Sequence, residues 1–174
     1  MIKRDYRTRY KLDEAAYFLD KMKRYYDSWT EFGYYLSAFL SASRSVFYFM
    51  HAEYCKVQGF KQWEKKNIIS SKIFIDPDLE FLKSKRSENI HQKNVSMKAT
   101  MKIPISFKPS IEELRELRSK NLPTPSQQMV RGSPTRINTY FQDKEDVEVL
   151  DFCVSVHQKI VSLVRDCEKE FKIY

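Results

Sequence analysis

The sequence predicts an all-α protein interrupted by a small β-ribbon and irregular insertion at about residues 95–141. Three observations lead there. Apolar residues recur every three or four positions over long stretches on both sides of the insertion, the period of an amphipathic helix. Only 3 of 174 residues are glycine, too few for a turn-rich all-β fold or for a Gly-rich phosphate loop. From Val95 to Phe107 the apolar period drops to two, the alternation of a half-buried strand. A chain of 174 residues suits one sizeable core, so we read residues 1–174 as a single domain with an insertion over residues 93–141.

Residues 1–10 read as a basic lead-in. Leu12, Ala16, Leu19, Met22 and Tyr26 then define a first helix ending near Asp27–Ser28, with Asp13 and Glu14 suited to its positive end. A second helix, capped by Thr30, runs to about Cys55 with Gly59 as its terminator. Its apolar face includes Phe32, Tyr35, Leu36, Phe39, Leu40, Val46, Phe47 and Met50. A belt of small residues, Ser37 to Ser45, lies between them and permits close approach of another helix or subunit. Arg44 interrupts that belt: it reaches a carboxylate or a phosphate, or it snorkels at the helix edge. A short helix is expected over Lys61–Ser71, followed by the apolar link Ile73-Phe74-Ile75. Asp76-Pro77-Asp78 reads as the start of a helix that continues through Leu79, Phe81, Leu82 and Ile90 to His91.

In the insertion, the strand from Val95 to Phe107 is weakened by Pro104 and has Ile137–Phe141 as its candidate partner. Ile111–Arg118 is a short helix candidate, and the turn-rich residues 119–136 read as irregular. The last helix is expected from Asp143–Glu145 to about Lys172, with Glu145, Asp146 and Glu148 at its positive end. Its stripe includes Val147, Leu150, Val154, His157, Val161, Val164, Cys167 and Phe171. His157 on that stripe reads as a satisfied core histidine, and Cys153 and Cys167 as buried small hydrophobes.

The net charge is +8, and it is unevenly spread. Residues 61–136 carry sixteen Lys and Arg against eight Asp and Glu, whereas residues 137–174 carry five against eight. A basic middle favours polyanions such as RNA or DNA, or simply solvates the surface. Three scattered cysteines form no disulfide framework. The polar start and the lack of a long apolar run give no signal peptide or membrane span, so the expected compartment is the cytoplasm, with no membrane partner.

No zinc-ligand spacing, nucleophile elbow or acidic metal cluster stands out, and no metal or cofactor is expected. What remains is Arg86 and His91, five residues apart in the basic middle. A histidine moves protons near neutral pH, and an arginine holds a phosphate and stabilises its developing charge. Together they suffice for cleavage of RNA by its own 2′-hydroxyl. A five-residue step turns about 140° around a helix, so the pair converges more easily if His91 lies at the helix end. Asn89 is then placed to assist, as is a second subunit in a symmetric dimer. The ordinary alternative is an Arg86 ion pair and a His91 that favours the helix dipole.

The run Arg86-Ser-Glu-Asn-Ile-His91, preceded by Phe81-Leu-Lys-Ser-Lys, resembles the hallmark of the HEPN superfamily. That hallmark is an Arg, four to six residues, then a His, late in a central helix. Phe39–Met50 and the run Tyr140–Val147 before the last helix are similar to bacterial members as well. The resemblance covers residues 12–91 and 137–171. It implies a four- to five-helix bundle, frequent homodimers and metal-independent endoribonuclease activity in toxin–antitoxin or antiviral systems, with RNA as substrate and a cognate antitoxin or other protein as partner. Carried over, Arg86 would bind the scissile phosphate and His91 would transfer protons, with Arg44, Ser87 and Asn89 as supporting residues. Family members often have Asn, Asp or His directly after the Arg. Here Ser87 stands there, a departure that bears on activity more than on fold. Some relatives are non-catalytic RNA-binding or assembly modules.

Overall fold

The computed structural model describes residues 7–70, 73–91, 95–102, 115, 119 and 135–171. Contacts divide the chain into two compact units, Met1–Met97 with Tyr140–Tyr174, and Lys98–Thr139. The described residues of the first unit form five helices: α1 Arg7–Arg24, α2 Trp29–Tyr54, α3 Phe60–Asn67, α4 Pro77–His91 and α5 Val149–Glu170. Two short strands, β1 Ile69–Ser70 and β2 Ile73–Phe74, pair antiparallel between α3 and α4. A second sheet has the order β3-β4-β5, with β3 Met97–Lys102, β4 Thr135–Phe141 and β5 Lys144–Glu148. The described chain is thus mostly helical with small antiparallel sheets, the class the sequence predicts. The strand expected opposite Val95–Phe107 is β4, next to β3.

The core is built around α2, which packs against α1, α4 and α5. It buries Phe32, Leu36, Phe39, Leu40, Val46, Phe47 and Met50. Ala15, Leu19 and Met22 of α1 meet that face, and α5 adds Phe152, Val156, Ile160 and Val164. Phe81, Phe141 and Phe152 form an edge-to-face trio with centroids 5.2–5.5 Å apart, joining α4, β4 and α5. Such geometry aligns positive ring edges with negative faces. Cys153 and Cys167 are buried, as expected of small hydrophobes on this helix.

The short helix expected over Lys61–Ser71 ends at Asn67, because Ile69 and Ser70 pair with Phe74 and Ile73 as a strand. Four further boundaries differ from the sequence reading, each for a local physical reason. First, α1 begins at Arg7, not near Leu12, and its first turn holds no acid of its own. Glu53 of α2 supplies the missing charge: its carboxylate accepts from the Arg7 N–H at 2.5 Å, the Thr8 N–H at 3.1 Å and the Thr8 hydroxyl at 2.5 Å. A carboxylate on unpaired first-turn N–H groups is a cap delivered from another helix. Second, the residue before α2 is Ser28, in extended conformation, rather than Thr30; its hydroxyl bonds Glu31.

Third, Cys55 ends α2, and Gly59 (φ 85°) instead introduces α3, in a left-handed conformation that glycine adopts without strain. Fourth, α5 starts at Val149, because residues 144–148 form β5 and pair Phe141 with Lys144 and Tyr140 with Glu148. Glu145 and Asp146 therefore lie in a strand, and Glu148 caps the helix by accepting from the Asp151 N–H at 3.3 Å. Of the helix expected at Ile111–Arg118, only Arg115 falls among the described residues, and it is helical. Most of residues 103–136 lies outside the described residues.

Glu53→Ala is expected to lower stability by about 1–2 kcal/mol, the loss typical of a helix cap, in urea unfolding. Glu168→Ala, which breaks the exposed Arg9–Glu168 pair, should lose less than about 1 kcal/mol. Equal losses in both variants would refute the capping role.

Candidate functional site

α4 begins where the sequence says it should, because Asp76 caps it. Asp76 Oδ1 accepts from the Asp78 and Leu79 N–H groups at 2.8 and 3.2 Å, and Pro77 sits where no N–H is needed. The same acids tie α4 to α5. Lys159 Nζ donates to Asp76 Oδ2 at 2.7 Å and to Asp78 Oδ2 at 2.9 Å, while Lys144 reaches Asp78 Oδ1 at 3.2 Å. The Lys159 hydrogen bond holds the Asp78 carboxyl below its usual range, and the two acids raise Lys159. About two turns on, Lys85 is only 4% exposed. Burial pushes its pKa down, but bonds to Asp143 (2.7 Å) and Glu88 (2.9 Å) outweigh that and raise it. These lysines belong to structural ion pairs.

Beyond Lys85 the chemistry changes. Asn89 Nδ2 donates to Ser37 Oγ of α2 at 2.6 Å. Asn89 therefore braces α4 against α2. Arg86, three residues earlier on the same stripe, is half-buried. Its Nε is buried, with no hydrogen-bond partner among the described residues. The ordinary ion pair considered for Arg86 is thus not found among them. Ser87 is exposed. His91 is the last residue of α4, the helix-end position the five-residue spacing calls for, and its side chain lies outside the described residues.

Arg44 does more than snorkel. It is half-buried on α2, and its guanidinium carbon lies 4.6 Å from the Tyr48 ring centroid and 4.8 Å from that of Phe74. Such contacts orient a guanidinium through the negative ring face. Its Nη1 is buried without a hydrogen-bond partner among the described residues. The acid that feels its charge, Glu80, is already engaged: Oε1 accepts from Lys83 at 2.7 Å and Oε2 from the Phe74 N–H at 2.8 Å. Arg44 and Arg86 are thus two cations without a carboxylate partner among the described residues. Sequence reasoning named both, but gave Phe74 no part in the site; its place beside α2 goes with the pairing of β2 and β1.

His157 corrects the reading of a satisfied core histidine. It is half-buried, 6.5 Å from the Phe39 ring, and its Nδ1 has no partner among the described residues. Burial, aided by the charge of Lys23, pushes its pKa down. Burial also raises the Cys167 thiol to about 12 and pushes the Cys153 thiol up, so neither is a thiolate nucleophile at neutral pH. Among the described residues no group of three or more His, Cys, Asp or Glu is placed to hold a metal ion, and no helix is long and apolar enough to cross a membrane. An open depression of about 470 Å³ lies beside Asp76 and Lys159, and another of about 620 Å³ beside Trp63 and Phe171. Neither is lined by Arg44 or Arg86.

Compared with family models, curated proteins and solved structures, the chain matches none.

The lowered His157 pKa has a sign. Between its folded value and about 6.5, the unfolded chain binds more protons, so stability falls as pH drops through that interval. Urea midpoints measured between about pH 5 and 7 should show this fall, and His157→Phe should flatten it. An unchanged slope in the variant would show that His157 does not carry the dependence.

Proposed function

We propose that this chain is a metal-independent endoribonuclease that cleaves RNA through the ribose 2′-hydroxyl. One observation carries the reading: Arg86, on a helix whose neighbouring lysines are ion-paired, keeps a buried Nε unpartnered among the described residues, and His91 ends the same helix. In this mechanism Arg86 donates to the non-bridging oxygens of the scissile phosphate. The 2′-oxygen attacks phosphorus as its proton leaves, the bond to the 5′-oxygen breaks, and that oxygen gains a proton. His91 serves one of these transfers. The products are a 2′,3′-cyclic phosphate and a 5′-hydroxyl.

The excess positive charge of residues 61–136 supports attraction of a polyanion. Ser87, beside Arg86, is exposed and carries no charge. A symmetric homodimer would place two such motifs in one cleft. A role as a toxin or antiviral component, with a cognate protein partner, follows from the HEPN resemblance alone.

A second reading is a non-catalytic RNA-binding or protein-interaction dimer of the same class. It is favoured by the exposed rings of Tyr10, Tyr17, Tyr34 and Tyr48, which suit stacking or contact more than chemistry.

The test is cleavage of mixed single-stranded RNAs with EDTA present. Wild type should cut and leave cyclic phosphate ends, while Arg86→Ala and His91→Ala should each lose at least about 100-fold, the range of general acid–base contributions. Equal cutting by all three proteins would sink the nuclease reading. RNA binding without cleavage, unaffected by His91→Ala, would establish the second.

A further inference from the structure

We infer that the depression along α3, walled by Trp63 and Phe171, is a single-stranded RNA site in which an unstacked base lies on Trp63 and the backbone follows the lysines of α3. This deepens the nuclease reading, on which the choice of RNA rests. Tyr54 of α2 stacks on Phe60 with centroids 5.6 Å and planes 28° apart, and Phe60 stacks on Trp63 at 6.2 Å and 24°. The stack starts in the core and ends at the surface: Tyr54 is 4% exposed, Phe60 is fully buried, and Trp63 is only half-buried. Phe60 is the one ring stacked on Trp63 among the described residues. Phe171, just after α5, meets Trp63 at 83° with centroids 6.0 Å apart, so the two rings make a corner.

That corner opens into the depression of about 620 Å³, within the roughly 300–1,000 Å³ of small-ligand sites. Gly59, Gln62, Trp63, Lys66 and Asn67 line it. Their spacing is that of one helix face, and it makes a trough about 12 Å long. A trough of that length takes a short run of chain rather than one compact ligand. A base set on Trp63 continues the Tyr54–Phe60–Trp63 stack outward, with Phe171 as the second wall. Every base has a π-face, so such a platform accepts a strand with little regard to its sequence. The side-chain amides of Gln58 and Gln62, exposed at the rim and unbonded among the described residues, can donate to or accept from base edges.

The charges around the trough favour a polyanion over a protein segment. α3 carries Lys61, Lys65 and Lys66, all exposed. Unlike Lys83, Lys85, Lys144 and Lys159, none of the three has an ion pair among the described residues. Glu64, the acid of α3, is already engaged: His51 Nδ1 meets its two oxygens at 2.9 and 3.0 Å. Lys66 lines the trough, Lys65 flanks its Gln62 edge three residues on, and Lys61 lies one turn before Lys65. Glu170 lines the α5 side. Its carboxylate repels phosphate there, so the backbone of a bound strand runs along the lysines while its bases face the rings.

The test uses a 2′-O-methyl adenylate dodecamer, whose blocked 2′-oxygens remove cleavage. In a Trp29→Phe background Trp63 is the only tryptophan, and a base stacked on it should quench its fluorescence saturably, with salt-dependent affinity. In anisotropy with the fluorescein-labelled dodecamer, Trp63→Leu should weaken binding at least about 5-fold, the lower end of stacking contributions. The exposed pair Lys65→Gln/Lys66→Gln should weaken binding and lower the salt slope by about one to two. An abasic sugar-phosphate dodecamer, with the charge but no rings, should bind at least about 5-fold more weakly than adenylate and leave Trp63 unquenched. If thermal melts show Trp63→Leu unfolded, quenching and the lysine pair still decide. Unquenched Trp63, equal affinity for the abasic strand, or wild-type affinity in the lysine pair would each overturn the inference. So would AMP quenching as well as the dodecamer, which would make this a free-nucleotide site. If the dodecamer quenches Trp63 but RNA is not cut, the site stands and the nuclease reading falls. If RNA is cut but Trp63 stays unquenched, the site falls and the nuclease reading stands.

Discussion

The structure depends on the burial of α2. Three helices pack on it, and ten of its twenty-six residues are buried. A helix covered on so many sides exhausts its apolar stripe and must bring smaller and polar residues inward. Ser43 and the Nη1 end of Arg44 are buried without a hydrogen-bond partner among the described residues. Leaving a buried donor unmet costs about 1–3 kcal/mol. Strain of this kind is tolerated where the surrounding packing over-determines the position, and functional sites are where it collects. The same helix caps α1 through Glu53 and braces α4 through Ser37. The start of the first helix and the placement of the candidate motif thus follow from one element.

The basic middle of the chain is not uniformly available to a ligand. Lys85 pairs with Asp143, and Lys144 of β5 and Lys159 of α5 pair with Asp76 and Asp78, which fastens α4 to its surroundings, while Lys83 pairs with Glu80 within α4. Arg86 lies just beyond the last of these lysines on α4. α4 thus divides into a neutralised anchor and a cationic end. The anchor is mixed in character: Lys85 and Lys144 also lie over the rings of Phe81, Phe141 and Phe152, so charge pairing and aromatic packing fix the same segment. A formal count of charge assigns equal weight to every cation, whereas the fold pairs these lysines and leaves Arg44 and Arg86 each with a buried donor unmet among the described residues.

Much of the helical framework was legible in sequence. The stripes of α1, α2 and α5 carry a strong period, which located the helices, but the buried face is set less finely: α5 buries Val149, Cys153, Val156 and Ile160, one position from the expected Leu150, Val154, His157 and Val161, and α1 buries Ala15 rather than Ala16. The Asp76-Pro77 start of α4 was legible because capping is local, involving N–H groups two and three residues away. The burial of Cys153 and Cys167 was expected of small apolar side chains on one helix. The misplaced start of α5 has a different cause. Val147 fits a helical stripe and a strand face equally well, and pairing with Tyr140 and Phe141 decided between them. For the candidate site, the sequence singled out Arg44, Arg86, Asn89 and His91, but not their neighbours.

What the sequence by itself determined are the features set within a few residues: helical periods, the Asp76 cap, the apolar stripes and the order Arg86 to His91 along one helix. Only the tertiary structure decided which charges are spent. Glu53 meets Thr8 across 45 residues, Asn89 meets Ser37 across 52, and Lys159 meets Asp76 across 83. Whether an arginine ends beside a carboxylate or keeps its donors for a ligand is a matter of which helices touch and in what register. That register is set by the packing of large side chains such as Phe47, Phe74 and Phe81, and no local pattern encodes it.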